Sequence, residues 1–259
     1  MTGEDVVFTK SGSIAYVVIN REEALNALNS NVLAKLDIIF SEIEHDDEII
    51  VVIITGAGQR AFVAGADVKE IKNAGANRTS FIAGGQCILS KIRNSSKVVI
   101  GAINGYALGG GCELALACDI RIASENAKIG MPEATLGVMA GYGGTQLLPR
   151  LIGPGRAKYA IFSGVMLSAA EAYQFGLVEK VYDSKNLMEE VERLARKIAA
   201  SGPLAIKYCK NAIDEGMGFP IDDALEFELE IYDKVANSDD AEEGLSAFLE
   251  KRKPVFKGM

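Results

Sequence analysis

The stretch Val98–Cys118, VVIGAINGYALGGGCELALAC, decides how the rest of the chain is read. It opens with the apolar run Val98–Ile103, and Val98–Asn104 reads as a buried strand. Glycines then punctuate it, and Cys112–Cys118 reads as a short apolar helix. Glu113 is the only charged residue of the stretch and falls in the first turn of that helix. A carboxylate there gains from the positive end of the helix dipole, but that gain does not explain Gly109-Gly110-Gly111 just before it. Successive glycines ahead of a helix let a ligand approach bare backbone N–H groups, and such groups stabilise negative charge.

Working outward, the run Glu48–Thr55 is a second β-branched strand, followed by the glycine-containing loop Gly56–Asp67. That loop holds neither the GxGxxG nor the GxxxxGK pattern, so it carries no dinucleotide or P-loop fingerprint. Two such loops, each after a buried strand, fit an oxyanion hole built from two backbone donors. On the other side lies Ile129–Pro149, IGMPEATLGVMAGYGGTQLLP, in which Glu133 is the only charged residue. Pro132 fixes the backbone just before it. Glu133 reads either as a cap for the next helix or, with Glu113, as one half of an acid–base pair. Isolated carboxylates in apolar surroundings have raised pKa values, as such pairs require.

The remaining periodicities fill in the frame. Val6–Thr9 and Ile14–Ile19 read as a hairpin, and Asn29 or Ser30 caps an amphipathic helix to about Glu44. Thr79–Arg93 reads as a helix, and Ile120–Ala123 and Lys128–Gly130 as short strands. From about Gly143 the pattern is helical: Gly144–Ile152, Gly155–Ser163, Ser168–Phe175, Lys185–Ser201, Pro203–Glu215, Ile221–Ala236 and Ser238–Lys251. The fold class is α/β, with a helical C-terminal part beginning near Gly202-Pro203. In those last helices Phe227, Ile231, Val235, Leu245, Phe248 and Leu249 can simply be core positions.

Composition narrows the chemistry. The 259 residues suffice for one large α/β domain with a helical appendage. A net charge of −8 argues against non-specific nucleic-acid binding, although Lys251, Arg252, Lys253 and Lys257 form a local basic cluster. No apolar run approaches the roughly 18 residues of a membrane span, and the acidic start has no signal-peptide pattern. Cys87, Cys112, Cys118 and Cys209 show no metal spacing and read as free buried thiols of a reducing cytosol. The one histidine, His45, lies in a polar stretch and reads as an exposed surface residue. A Ser-His-Asp or Cys-His system and a catalytic zinc site are therefore disfavoured. Carboxylates, lysines, tyrosines and backbone dipoles remain for acid–base work.

Several segments together resemble the crotonase, or enoyl-CoA hydratase/isomerase, family along nearly the whole chain. They are Asn26–Asn29, Phe62–Glu70, Asn104–Leu114, Gly130–Glu133, Gly141–Gln146 and Glu250–Lys253. The resemblance implies a crotonase-like ββα spiral core over residues 1–200, holding the coenzyme A and active sites, and a helical trimerisation region over 201–259. To the core reading of those last helices it adds packing across subunits. It implies trimers paired into homohexamers, with an acyl-CoA substrate and no nucleic-acid or membrane partner. The implied reaction is reversible hydration of a short-chain trans-2-enoyl-CoA, in fatty-acid or butyrate metabolism in the cytoplasm. Coenzyme A is part of the substrate, and no separate cofactor or metal is implied.

By the same resemblance, the N–H groups of Ala66 and Gly110 hold the thioester oxygen. Glu113 activates water at C3 and Glu133 exchanges the proton at C2. Ala64, Asp67, Val68 and Gly141 lie among the substrate and coenzyme A contacts, as do Tyr232 and Lys251, sometimes from a neighbouring subunit. Two positions depart from the family pattern: Met131 stands where many hydratases carry glutamine, and Ala140 where many carry proline. Retention of both glutamates favours hydration. The alternatives are an isomerase of the same fold, an RNA-binding member of the family and a plain coenzyme A-binding scaffold.

Overall fold

The computed structural model describes residues 4–259. Its first strands, β1 (Val6–Ser11) and β2 (Ile14–Ile19), form the expected antiparallel hairpin. Helix α1 (Ser30–His45) follows, capped by the Asn29 side chain, which accepts from the Val32 N–H at 2.8 Å. A unit of a long strand, a short strand and a helical segment then repeats three times. The first is β3 (Val51–Gly56), β4 (Ala61–Val63) and α2 (Val68–Asn73), extended by α3 (Arg78–Arg93). The second is β5 (Val98–Ile103), β6 (Tyr106–Leu108) and α4 (Gly110–Ala117). The third is β7 (Ile120–Ser124), β8 (Lys128–Gly130) and the 3₁₀ turn Pro132–Leu136.

The long strands build a six-stranded sheet with α5 to α8 following in the chain: α5 (Gly144–Ile152), α6 (Pro154–Ser163), β9 (Met166–Ser168), α7 (Ala169–Phe175), β10 (Lys180–Tyr182) and α8 (Leu187–Ala199). Its order is β1-β2-β3-β5-β7-β10. The short strands build a second sheet, β4-β6-β8-β9, in which β4, β6 and β8 run parallel. Alternation along β3 and β5 explains why the large sheet is buried on both faces. Val52, Ile54, Val99 and Ile103 pack with Leu36, Phe40 and Ile43 of α1. Val51, Ile53, Val98 and Ile100 pack with Leu187, Val191 and Ala195 of α8.

The last helices are α9 (Pro203–Gly216), α10 (Ile221–Ala236) and α11 (Asp239–Glu250). Lys210 of α9 reaches the sheet, donating to the Lys97 carbonyl at 3.0 Å and pairing with Asp119 at 2.8 Å. The core reading of this region holds for Ile231 only, which is buried. Phe227 and Val235 are half-buried, while Leu245, Phe248 and Leu249 are 65%, 83% and 80% exposed. The helices are amphipathic as expected, but this chain leaves their apolar faces uncovered.

The helices of the sequence reading are present within a few residues. The strands β4, β6, β9 and β10 were not anticipated. His45 is exposed. Cys112 and Cys118 are buried, whereas Cys87 and Cys209 are exposed, correcting the reading of all four as buried. Among the described residues, no helix is long and apolar enough to cross a membrane.

Candidate active site

Each turn of the repeat contributes to one site at the same place, just after its short strand. Tyr106 of β6 pairs with Ala61 of β4 and with Lys128 of β8, so the three strand ends lie side by side. Ala66 follows β4, Gly110 follows β6 and Glu133 follows β8.

The segment after β4 is held from below. The Leu25 carbonyl accepts from the Ala64 N–H, and Leu28 exchanges hydrogen bonds with the Gly65 carbonyl and the Asp67 N–H. The buried Asn26 donates to the carbonyls of Ala57 and Ala61 at 3.0 and 2.8 Å, fixing the approach to β4. Asp67 caps α2, accepting from the Lys69 N–H at 3.1 Å and pairing with Arg21 at 3.5 Å. These bonds use the N–H groups of Ala64 and Asp67 but leave the Ala66 N–H without an acceptor among the described residues. Gly110, at the start of α4, is in the same condition. The Ala66 nitrogen lies 3.0 Å from where a Cβ on Gly110 would stand. The two free donors are therefore neighbours, and glycine at 110 keeps the space between them open. A Cβ on Gly111 would overlap the Val63 carbonyl, so glycine there lets α4 start against β4.

Glu113 is 2% exposed. Its Oε1 accepts from the Tyr142 N–H at 2.7 Å and the Gly144 N–H at 2.8 Å. On its other flank stands the Met131 thioether: a Cβ on Gly144 would meet Met131 Sδ at 2.8 Å and Glu113 Oε1 at 3.0 Å. Burial pushes the Glu113 carboxyl up to about 7, the Glu133 charge adding to it and the two N–H donors opposing it. Glu133, in the 3₁₀ turn, has its Oε1 2.9 Å from where a Cβ on Gly109 would stand. Its Oε2 is buried without a partner, and burial raises its pKa as well. The two carboxylates thus flank the start of α4, each with its pKa raised by burial.

The structure therefore brings Ala66, Gly110, Glu113 and Glu133 together. Ala64 is half-buried in the same loop, Val68 is exposed at the start of α2, and Gly141 packs against Ile82 of α3. Tyr232 is exposed on α10, and Lys251 is the exposed left-handed cap of α11. No hydrogen bond ties either to the four-residue cluster among the described residues. Sequence reasoning passed over three residues. Tyr142 was quoted only within a motif, and Arg21 and Asn26 set the donor loop from a distance. The two left-handed residues Leu25 and Asn26 (φ 50° and 59°) give that segment its bend, and nothing in local periodicity signals it.

The family profile described as enoyl-CoA hydratase/isomerase matches residues 9–259. A short-chain-enoyl-CoA hydratase of Clostridium acetobutylicum is 47% identical over 96% of both chains. A crotonyl-CoA hydratase of Syntrophomonas wolfei is 43% identical over 99% of both. The crystal structure of an enoyl-CoA hydratase from Bacillus anthracis superposes with a TM-score of 0.96 at 41% identity, covering 98% of this chain and all of that one.

Proposed function

The chain belongs to the enoyl-CoA hydratase/isomerase family, and from that premise we propose that it is an enzyme catalysing reversible hydration of short-chain trans-2-enoyl-CoA thioesters. The observation that carries this reading is the meeting of the buried Glu113 and the partly buried Glu133 with two unpaired backbone N–H groups. The thioester oxygen accepts from Ala66 and Gly110, and charge that builds on it during addition is met by fixed dipoles. That polarisation makes C3 electrophilic. Glu113, held by Tyr142 and Gly144, takes a proton from the water that attacks C3. Glu133, whose pKa burial raises, delivers a proton to C2. Dehydration is the reverse. Every step is proton transfer and C–O bond making or breaking, so it uses no separate cofactor or metal.

An isomerase would shift the double bond with mainly one carboxylate. The retention of two, each with a raised pKa, favours hydration. The names of the two relatives, a short-chain-enoyl-CoA and a crotonyl-CoA hydratase, support a four-carbon acyl group and a place in butyrate or fatty-acid metabolism. Residues 201–259 serve in this reading as the assembly region of a homohexamer built from two trimers. The uncovered apolar faces of α9 to α11 support that assignment: Ile213, Met217, Leu229, Phe248 and Leu249 are each more than 60% exposed. Tyr232 and Lys251 would then meet the substrate from a neighbouring copy. Ala64, Asp67, Val68 and Gly141 line the coenzyme A and acyl path. The acidic balance supports an enzyme without nucleic-acid partners, and the reading extends to a cytoplasmic enzyme without membrane partners.

The test is loss of enoyl-thioester absorbance with crotonyl-CoA and purified protein, without added metal or nicotinamide. Rapid loss, giving 3-hydroxybutyryl-CoA, is expected. Conversion of a 3-enoyl-CoA with no hydration of any 2-enoyl-CoA would replace this reading by the isomerase.

A further inference from the structure

Two buried side-chain polar atoms have no hydrogen-bond partner among the described residues, Glu133 Oε2 and the Tyr142 hydroxyl, and both belong to this site. The reaction uses the first. Nothing yet uses the second. Tyr142 is 3% exposed, and an unpaired buried hydroxyl destabilises the fold relative to phenylalanine, so its presence asks for a partner.

Its placement says where that partner would be. The backbone N–H of Tyr142 is bonded to Glu113, and the side chain extends from there along the donor pair. One ring edge lies 3.3 Å from where a Cβ on Gly110 would stand, beside the Ala66 nitrogen. The hydroxyl end of the ring packs over Gly85 of α3, where any Cβ would overlap it. Glu70, whose charge acts on the phenol, is engaged with Ser30, accepting from its N–H at 2.8 Å and its hydroxyl at 2.7 Å. Burial, reinforced by Glu113 and Glu70, keeps the phenol neutral and therefore a donor.

We propose that Tyr142 is a specificity-determining residue whose hydroxyl donates to an oxygen carried by the acyl group beyond C3, so that the site prefers oxygenated short acyl thioesters to plain alkyl ones. The proposal rests on the hydratase reading for the seating of the thioester. The thioester oxygen is met by Ala66 and Gly110 and an oxygen at C3 by the carboxylates. A donor further along the ring is left for an atom beyond them. A site with a buried donor rejects the analogue that leaves the donor unpaired.

The experiment is calorimetric binding of butyryl-CoA and 4-hydroxybutyryl-CoA to wild type and Tyr142→Phe, with thermal unfolding of both proteins. Wild type should bind 4-hydroxybutyryl-CoA about tenfold more tightly than butyryl-CoA. Tyr142→Phe should erase that preference while changing the butyryl-CoA Kd by less than about threefold, with Tm equal to or above wild type. Equal affinities for the two thioesters in wild type would overturn the proposal. So would a Tyr142→Phe change common to both ligands, or a fall in Tm, which would mean that the hydroxyl has a structural partner. Because binding is read without turnover, absence of hydration by wild type would count against the hydratase reading and leave this preference to be judged by the Kd values.

Discussion

The ends of the short strands and the C-terminal helices break opposite rules of protein construction. Around α4 the chain buries what should be exposed: a carboxylate at 2% exposure, a second unpartnered carboxylate oxygen, a phenol and two N–H groups without acceptors. Along α9 to α11 it exposes what should be buried, with Phe248 at 83% and Leu249 at 80%. Each deficit is a cost to the isolated fold. The comparison teaches that the two costs have different remedies. The first is relieved by a polar substrate a few atoms long. The second needs an apolar surface of the size another protein copy offers.

The sharpest way to break this contrast is to neutralise one side of it. Glu113→Gln and Glu133→Gln should each lower turnover of crotonyl-CoA by about 100- to 10,000-fold, with sedimentation and circular dichroism unchanged. Gly110→Ala places a methyl 3.0 Å from the Ala66 nitrogen, in the space between the donors. A loss of about 100-fold in kcat is expected, and a rise in KM alone would show that the donors serve binding and not the charge that develops. On the other side, Phe248→Asp with Leu249→Asp should leave the fold intact and reduce the assembly mass seen by light scattering. An unchanged mass would remove these helices from the interface.

The smallest effect is on stability, and its sign separates a functional carboxylate from a structural one. The Glu113 pKa is raised in the fold to about 7. Between the unfolded value near 4.3 and that value, the folded state holds more protons than the unfolded state. Stability from this group is therefore full below about pH 4 and falls as pH rises toward 7. Glu113→Gln removes that loss, so its Tm should exceed that of wild type at pH 8 by about a few degrees, and the gap should close at pH 5. In the same range, kcat/KM of wild type should fall as pH drops through about 7, where Glu113 takes up a proton.

Much of the spiral was legible because its signals are local. Val98–Ile103 and the three glycines before Glu113 announce a buried strand and a ligand-facing helix start within one short stretch. The three-residue strands β4, β6, β9 and β10 were not legible. They are too short for periodicity, and their pairing spans tens of residues. The candidate carboxylates stood out by charge contrast alone. Tyr142 did not, since an aromatic residue in an apolar run reads as ordinary core until the absence of a partner for its hydroxyl is seen. The plain core reading of Phe248 and Leu249 failed for the converse reason, while packing across subunits stayed open: periodicity shows that a helix has an apolar face but not which chain covers it.

The most direct test of the central claim is incorporation of labelled water oxygen at C3 of crotonyl-CoA by wild type, Glu113→Gln, Glu133→Gln and the double variant. The account predicts labelled 3-hydroxybutyryl-CoA from wild type, near-complete loss in each single variant, and little further loss in the double, because the two carboxylates act as one unit. Incorporation at the wild-type rate by either single variant would contradict it.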